Sequence, residues 1–366
     1  MSNKIGIITF HTSENYGAML QAFALRYVLR REGAEADVIN YSTDYTSGLS
    51  PLRKTIHHCW LLSRYVFGYR SRLNKARNFR IARMGVDESY LAKKICEVPH
   101  LESFDRFVVG SDQVWNLKIT NDPVFRLTFA KESQKKFSYA ASLGNDIIEK
   151  SDESTYKKSL SSFKGISVRE SSGVNALASI GIKAQHVLDP TLLLSAEDWV
   201  NGLELASTRN IDEKYVFCYV LPGNATSAGT VREARKLAKL KGLKLIVVGE
   251  REHHKLFDNA YKTDVGVEEF VNYIKDAEFV VTNSFHGTCF SIIFNKEFYT
   301  TILPNNKRNS RIVELLALLR LENRILDLSI NSTKEEGDTI NYKDVSQNLA
   351  LLKLKSMDFV RFIVNS

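Results

Sequence analysis

The sequence predicts an α/β protein with two Rossmann-like domains that face each other across a cleft. Short apolar segments of buried-strand type, such as Ile5–Phe10 and Phe279–Thr282, alternate with stretches whose apolar residues recur at helical spacing. The alternation runs through two successive series, which join near residues 190–213. A chain of 366 residues is also longer than a single hydrophobic core usually supports.

The two series set the expected domain boundaries. Residues 1–195 form the first domain, which carries a basic helical insertion at about residues 45–100. Residues 196–345 form the second domain, and residues 346–366 form a C-terminal helix that would pack back across the two.

The first domain opens with a β-loop-α-β unit, from which parallel sheets are built. Strand Ile5–Phe10 is followed by the loop His11–Gly17, by a helix that Gly33 ends, and by strand Val38–Tyr41. Further strands are expected at Arg106–Val109, Phe137–Ala141, Ile166–Val168 and His186–Leu188.

The second domain repeats this alternation. Strands are expected at Tyr215–Leu221, Leu243–Val248, Phe279–Thr282 and Phe298–Leu303. Helices are expected at Thr230–Leu240, Val267–Asp276, Thr288–Phe294 and Ile312–Leu319. Ligands of such sheets bind where strands end, so the candidate ligand loops are His11–Gly17, Gly110–Trp115, Arg169–Ser172 and Asn283–Gly287.

The overall composition is that of a globular protein, with 44% hydrophobic residues, 25% charged residues and a formal net charge of +8. The positive charge favours an anionic partner without choosing one. No apolar run reaches the roughly 18–20 residues of a membrane span, and Ile5–Phe10 is too short for a signal peptide, so cytoplasmic residence is expected. The scattered cysteines, with no CxxC pair, predict neither zinc nor a disulfide framework.

The residues from Thr282 to Thr288 combine a strand end, a polar loop and a helix start. Backbone N–H groups at a helix start hold anions, Ser284 and Thr288 add hydroxyls, and Gly287 permits close backbone approach. His286 is a candidate general acid or base, because imidazole titrates near neutral pH. The alternative is that Ser284 or Asn283 only caps the helix and that His286 is a packed loop histidine.

The segment Gly110–Asn116 places a carboxylate, an amide and an indole in one strand-end turn. Asp112 would accept hydrogen bonds from sugar hydroxyls, and the Trp115 ring would cover the C–H face of a sugar. The alternative is that Asp112 caps a helix and Trp115 fills the core.

Two arginines stand where an anion could be held. Arg169 directly follows a predicted strand, and its guanidinium can grip a carboxylate or a phosphate with a paired fork. Arg311 comes just before the helix at Ile312. The alternatives are a surface pair of Arg169 with Glu170 or an interdomain salt bridge, and a solvated basic loop around Arg311.

The loop His11–Gly17, which contains Asn15 and Tyr16, could cradle a polar ligand or be an ordinary βα turn. It is neither a GxGxxG loop nor a Walker loop, which argues against a dinucleotide or a nucleoside triphosphate held in the usual way.

The stretch between Asp44 and Asp87 contains nine Lys or Arg residues and no acidic residue, with aromatic residues interleaved. Its part at residues 52–83 could meet anionic lipid or a lipid diphosphate, or it could be a solvated helical pair. No nucleic-acid-binding motif accompanies it, so a nucleic-acid partner is not expected.

Six motifs occur in a fixed order along the chain. They are Asn15-Tyr16-Gly17-Ala18 with Leu20-Gln21, Gly110-Ser111-Asp112-Gln113-Val114-Trp115, Ser138-Tyr139-Ala140-Ala141-Ser142, Ser167-Val168-Arg169-Glu170, Asp189-Pro190-Thr191, and Thr282-Asn283-Ser284-Phe285-His286-Gly287. The ordered set resembles the polysaccharide pyruvyl transferase family, over about residues 5–320.

The resemblance implies a fold similar to the GT-B glycosyltransferases, with the active site between the domains. It implies phosphoenolpyruvate as donor, a sugar with two suitably placed hydroxyls as acceptor, phosphate as product, and no cofactor or metal. In several relatives the acceptor is galactose, ketalised at O4 and O6, and some relatives act on a glycan attached to undecaprenyl diphosphate. The first domain would then be the acceptor side and the second the donor side.

Matching residues to that chemistry gives each candidate a role. His286 would be the general acid and Asp112 the base. Phosphoenolpyruvate would be held by Arg169, Arg311, Ser284, Gly287 and Thr288. The acceptor would be held by Asn15, Tyr16, Gln21 and Trp115.

Two other functions remain open from the sequence. A GT-B glycosyltransferase would use the same cleft for a nucleotide sugar, with Glu268 or Glu269 to hold the ribose. A non-catalytic relative would only bind a glycan or a lipid carrier.

Overall fold

A computed structural model describes residues 3–12, 15–42, 70–86, 88, 90–205, 213–221, 226–249, 259–303, 309–329 and 339–366. The chain divides into two compact units. Unit 1 is drawn from residues 1–56, 78–194 and 350–366, and unit 2 from residues 57–77 and 195–349.

Unit 1 contains a four-stranded parallel sheet in the order β2-β1-β3-β4. Its strands are β1 (Lys4–Ile8), β2 (Glu35–Val38), β3 (Arg106–Val109) and β4 (Lys135–Ser138). A parallel pair, β5 (Ser167–Val168) and β6 (Gln185–His186), joins β4 through a bridge between Phe137 and Gly165. The strand order reverses between β1 and β3, and ligands of doubly wound sheets bind at such a switch point.

Helices cover this sheet. They are α1 (Tyr16–Arg31), the C-terminal half of α2 (Arg70–Met84), α3 (Glu153–Leu160) and α4 (Ser171–Ser179). Helix α1 is almost entirely buried up to Leu25, because its apolar residues pack on strands that are themselves buried on both faces.

Unit 2 contains a six-stranded parallel sheet in the order β12-β11-β10-β7-β8-β9. Its strands are β7 (Tyr215–Tyr219), β8 (Lys244–Val248), β9 (Tyr261–Lys262), β10 (Phe279–Thr282), β11 (Glu297–Ile302) and β12 (Ile325–Asp327). Its helices are α5 (Ala196–Gly202), α6 (Ser227–Lys241), α7 (Val267–Asp276), α8 (Phe285–Ile293) and α9 (Ser310–Leu318). This is the strand order of a Rossmann sheet, and its switch point lies between β7 and β10.

The last helix, α10 (Tyr342–Asn365), contributes to both units. Its first residue, Tyr342, hydrogen-bonds through its hydroxyl to the backbone carbonyl of Lys296 in unit 2. In unit 1, the Ser356 hydroxyl accepts a hydrogen bond from the backbone N–H of Leu188 at 2.9 Å. Within the described ranges, no helix combines the length and the apolar character that crossing a bilayer requires.

The α/β prediction is confirmed, and the main differences are at element ends. Helix α8 begins at Phe285 rather than at Thr288, so His286 and Gly287 belong to its first turn and not to a loop. Strand β2 ends at Val38, where the predicted strand began. Strands β9 and β12 are too short to leave a signal in the sequence.

Candidate functional site

The switch point of unit 1 is closed by hydrogen bonds between β1, α1 and the residues after β3. The Thr9 hydroxyl donates to the backbone carbonyl of Ser111 at 3.1 Å, and the Gln21 amide nitrogen donates to the Thr9 hydroxyl at 2.8 Å. The Gln21 amide oxygen accepts from the backbone N–H of Ser111 at 2.9 Å. Gln21, which was predicted to bind an acceptor, is buried. Its side-chain amide instead forms the hydrogen bonds that join these three segments.

The residues at the start of α1 have different environments. Asn15 is exposed, and its side-chain oxygen caps α1 by accepting from the backbone N–H of Gly17 at 2.9 Å. Tyr16 is buried in the core of unit 1. Of these two acceptor candidates, Asn15 is the one that a ligand can reach.

The structure corrects the prediction for Trp115. Its side chain is 0% exposed, and its indole N–H donates to the backbone carbonyl of Phe125 at 2.8 Å. It packs in a hydrophobic core cluster of unit 1. A ring enclosed in this way has no open face to stack on a sugar, so Trp115 fills the core, as the alternative reading had it.

Arg169 lies just after β5, and in the described part of unit 1 it contacts three carboxylates. Its guanidinium is 3.0 Å from Asp189, 3.2 Å from Glu170 and 3.7 Å from Asp112. Burial by itself lowers the pKa of Arg169, but the charges of Glu170, Asp189 and Asp112 outweigh this effect and raise the pKa above its usual value. Arg169 is thus a permanent cation, paired inside the unit.

Asp189, which belongs to one of the six motifs but had no predicted role, anchors this cluster. One carboxylate oxygen accepts from Arg169 at 3.0 Å and from the Ser111 hydroxyl at 2.9 Å. The other accepts from the N–H of Thr191 at 3.0 Å and from its hydroxyl at 2.7 Å. Four donors hold a buried carboxylate in its charged form, because each replaces a lost water contact.

A second histidine, His11, is buried at the end of β1. One ring nitrogen lies 3.1 Å from the Thr9 carbonyl, and the other lies 3.1 Å from the side-chain oxygen of Asn40. Burial lowers the pKa of His11, although both hydrogen bonds oppose that effect. The sequence placed His11 in a candidate ligand loop but could not show these contacts, because only the strand pairing brings Asn40 beside it.

The switch point of unit 2 is built around Thr282, at the end of β10. Its hydroxyl donates to the Tyr219 carbonyl at 2.8 Å and accepts from the backbone N–H of Ser284 at 3.1 Å. Ser284 is the N-cap of α8, and its hydroxyl accepts from the N–H of Gly287 at 3.3 Å. A Cβ on Gly287 would lie 2.5 Å from the Thr282 hydroxyl oxygen, so glycine is needed for this close packing.

Thr288 is buried and turned toward the neighbouring strand. Its hydroxyl donates to the Ser284 carbonyl at 3.0 Å and lies 2.7 Å from the hydroxyl of Thr300 on β11. The hydroxyl predicted to bind an anion is therefore used to fix the first turn of α8 to the sheet.

His286 and Arg311 meet at one aromatic ring. The rings of Phe285 and His286 are 5.3 Å apart with their planes nearly perpendicular. The Arg311 guanidinium lies 5.8 Å from the centre of the Phe285 ring, within the range of a cation–π contact. The structure thus places Arg311, selected for anion binding, against the residue that precedes His286 in α8.

Asn283, which the sequence offered only as a possible helix cap, joins the two strands at this switch point. Its side-chain oxygen accepts from the backbone N–H of Leu221, just after β7, at 2.8 Å. Its amide nitrogen donates to the Thr226 hydroxyl at 2.8 Å, at the start of α6. Its signal in the sequence was its place between Thr282 and Ser284, which alone could not identify these partners.

Two further predictions concern the basic stretch at residues 52–83 and Glu269. Residues 52–69 of the basic stretch lie outside the described residues. Within α2, the Lys75 ammonium contacts the Glu269 carboxylate at 2.8 Å. Glu269, a candidate ribose ligand, also accepts from the N–H of Gly266 at 2.8 Å and so caps α7.

Comparison with solved structures identifies the class of fold. A putative UDP-N-acetylglucosamine 2-epimerase from Listeria monocytogenes superimposes with a TM-score of 0.52 at 11% identity, covering 98% of this chain and 90% of that chain. S. aureus MnaA bound to UDP gives 0.51 at 12% identity, covering 100% and 91%. The 2-epimerase from Methanocaldococcus jannaschii in complex with UDP-GlcNAc and UDP gives 0.50 at 12% identity, covering 97% and 100%. These are GT-B proteins, and the predicted GT-B class is confirmed.

Sequence comparison identifies the family. No curated protein gave a significant match. The family model described as polysaccharide pyruvyl transferase matches residues 15–302, which include all six ordered motifs from end to end. The chain belongs to the polysaccharide pyruvyl transferase family.

Proposed function

We propose that the protein transfers pyruvate from phosphoenolpyruvate onto two hydroxyls of one sugar, forms a ketal and releases inorganic phosphate. Family membership supports transfer of pyruvate to a polysaccharide. The observation that carries the proposal is the convergence of His286 and Arg311 on Phe285, at the Rossmann switch point of unit 2.

Unit 2 would hold the donor. Phosphoenolpyruvate carries a phosphate and a carboxylate, and the start of α8 offers the partial positive charge of a helix N-terminus. Arg311 adds a full charge beside it, and the hydroxyl of Ser284 adds a donor. Gly287 and Thr288 would contribute without contacting the donor, because they hold the first turn of α8 against β10 and β11.

His286 would protonate the methylene carbon of the donor, which becomes the methyl group and leaves C2 electron-poor. One sugar hydroxyl then adds to C2. The second hydroxyl displaces phosphate and closes the ketal. Of the two hydroxyl protons, one replaces the proton given to the methyl carbon and the other leaves on hydrogen phosphate, so the scheme needs no cofactor or metal.

Unit 1 would hold the acceptor, with Asp112 as the base and Asn15 as a hydrogen-bonding side chain. The acceptor we propose is galactose, ketalised at O4 and O6, in a bacterial capsular or other surface polysaccharide. The reaction would take place in the cytoplasm, on a free glycan or on one carried by undecaprenyl diphosphate at the inner membrane surface, where the basic stretch at residues 52–83 would meet the lipid. No nucleic acid is involved.

The donor assignment is tested by thermal stability in millimolar phosphoenolpyruvate. A ligand that binds only the folded state raises the midpoint, by about 2.7 kcal/mol at a hundredfold excess over its Kd. We expect a rise in the wild type, its loss in Arg311→Ala, and its retention in Arg232→Ala. Arg232 is the matched control, since it lies on the exposed side of α6 in a pair with Glu233.

Two results would replace the proposal. If UDP-sugars raise the midpoint and phosphoenolpyruvate does not, the protein is a nucleotide-sugar glycosyltransferase. If a galactose-containing glycan binds but no phosphate is released with phosphoenolpyruvate, the protein is a non-catalytic glycan-binding member.

A further inference from the structure

The charge balance around Arg169 does not fit a donor-binding arginine. Among the residues that the structure describes, one guanidinium faces the carboxylates of Asp112, Glu170 and Asp189, so these one positive and three negative side chains sum to a formal charge of −2. The Arg169 side chain is 2% exposed and that of Asp189 is 0% exposed. A phosphoenolpyruvate anion would have to displace a buried carboxylate and enter a negatively charged cluster.

The three carboxylates differ in how they are engaged. Asp189 accepts from four donors and is enough to balance the charge of Arg169. Asp112 is the most exposed of the three, at 15% of its side chain. One of its oxygens, Oδ1, accepts from the N–H of Gln113 at 2.9 Å and faces Arg169. Among the described residues, its Oδ2 has no hydrogen bond, so this oxygen can take a proton from a ligand.

The backbone conformation of Asp112 is held by hydrogen bonds from neighbouring residues. Its φ of 71° lies in the left-handed region, which is uncommon for a residue other than glycine. Its carbonyl accepts from the N–H groups of Val114 at 2.8 Å and Ser142 at 2.9 Å. Asp112 is the third residue after the end of β3, at the switch point of unit 1.

We propose that Arg169 is a positioning residue, which holds Asp112 as the base for the acceptor hydroxyl and does not contact phosphoenolpyruvate. Asp189 fixes the guanidinium through Nη1, and Nη2 then faces Oδ1 of Asp112, which leaves Oδ2 for the hydroxyl proton. This inference rests on the proposed pyruvyl transfer, and it moves Arg169 from the donor side to the acceptor side.

The experiment compares Arg169→Lys with Arg311→Lys in full-length protein. Lysine keeps the charge but cannot contact several carboxylates at once as the planar fork does. Phosphate release is measured with phosphoenolpyruvate and methyl β-galactoside, together with the thermal shift in phosphoenolpyruvate. In Arg169→Lys we expect the KM for phosphoenolpyruvate to stay within about twofold, and kcat to fall at least about tenfold, since a positioned base contributes about 10²–10⁴. Arg311→Lys should raise the KM and reduce the thermal shift.

A KM for phosphoenolpyruvate that rises in Arg169→Lys as much as in Arg311→Lys, with kcat unchanged, would overturn the positioning role and leave pyruvyl transfer intact. If Arg169→Lys does not fold, Asp189→Asn loosens the guanidinium without removing it. A folded Asp189→Asn variant with unchanged kcat then overturns the proposal, and one with a lower kcat and an unchanged KM supports it. A wild type that neither binds phosphoenolpyruvate nor releases phosphate overturns the proposed function and this inference together.

Discussion

Replacing Gly287 by alanine tests how tightly the start of α8 is packed against β10. A new Cβ would lie 2.5 Å from the hydroxyl oxygen of Thr282 and 3.0 Å from its methyl carbon. Thr282 cannot move away without weakening its bonds to the Tyr219 carbonyl and to the N–H of Ser284. Overpacking of this kind costs about 1–3 kcal/mol.

Gly229→Ala is a matched control for this substitution. Gly229 is the third residue of α6, as Gly287 is of α8, so both variants gain the same helix propensity of up to about 1 kcal/mol. At Gly229 the new Cβ would meet only the end of the Leu328 side chain, which can rotate. The Gly287 variant should therefore be less stable than the Gly229 variant by about 1–3 kcal/mol, or roughly 2–12 °C in melting temperature.

The assay is calorimetric or fluorescence-monitored unfolding of both variants and the wild type, with and without phosphoenolpyruvate. Gly287→Ala should also show a smaller stabilisation by phosphoenolpyruvate, because the cap that orders the first turn of α8 is displaced. Equal melting temperatures for the two variants would show that Thr282 yields easily, and the packing argument at this switch point would then be wrong.

Three other substitutions test particular side chains. Trp115→Phe removes the indole bond to the Phe125 carbonyl and should lower the free energy of unfolding by about 1–3 kcal/mol, with the acceptor KM unchanged; a raised KM would return Trp115 to the acceptor site. Thr288→Val leaves the hydroxyl of Thr300 without its partner and should cost about 1–3 kcal/mol in urea unfolding, whereas no loss would mean that water replaces the bond. His11 has a lowered pKa, so the unfolded chain takes up its proton first as pH falls below about 6.5, and stability should drop between about pH 7 and 5. That drop should be smaller in His11→Gln, and identical pH dependence in the two proteins would contradict the burial argument.

The helices and strands were largely predictable, because buried apolar residues recur along the sequence with the spacing of a helix or a strand. The strands Arg106–Val109 and Phe279–Thr282 and the helix Val267–Asp276 coincide with the structure to the residue. The start of α8 was misplaced by three residues, because a glycine at 287 favours a loop while the decisive cap is Ser284. Capping fixes where a helix begins, and a single turn contains too few residues for periodicity to show it.

The candidate site was predictable in its residue types but not in its contacts. Arg311 was selected for its place one helix after the His286 segment, and the sheet of unit 2 does bring it to Phe285, next to His286. Arg169 and Asp189 are 20 residues apart, and nothing in the local pattern says that they pair. Trp115 illustrates the same limit, because the residue type alone does not show whether an indole ring faces a ligand or the core.

The split membership of α10 has a consequence for how the chain folds during synthesis. Val360 and Ile363 are buried in unit 1, and Ser356 takes the backbone hydrogen bond of Leu188. A ribosome must therefore make all of unit 2 before the residues that complete unit 1 emerge. Domains usually fold in the order in which they are made. Here unit 2 can complete its folding first, because unit 1 lacks the C-terminal part of α10 until the end of synthesis.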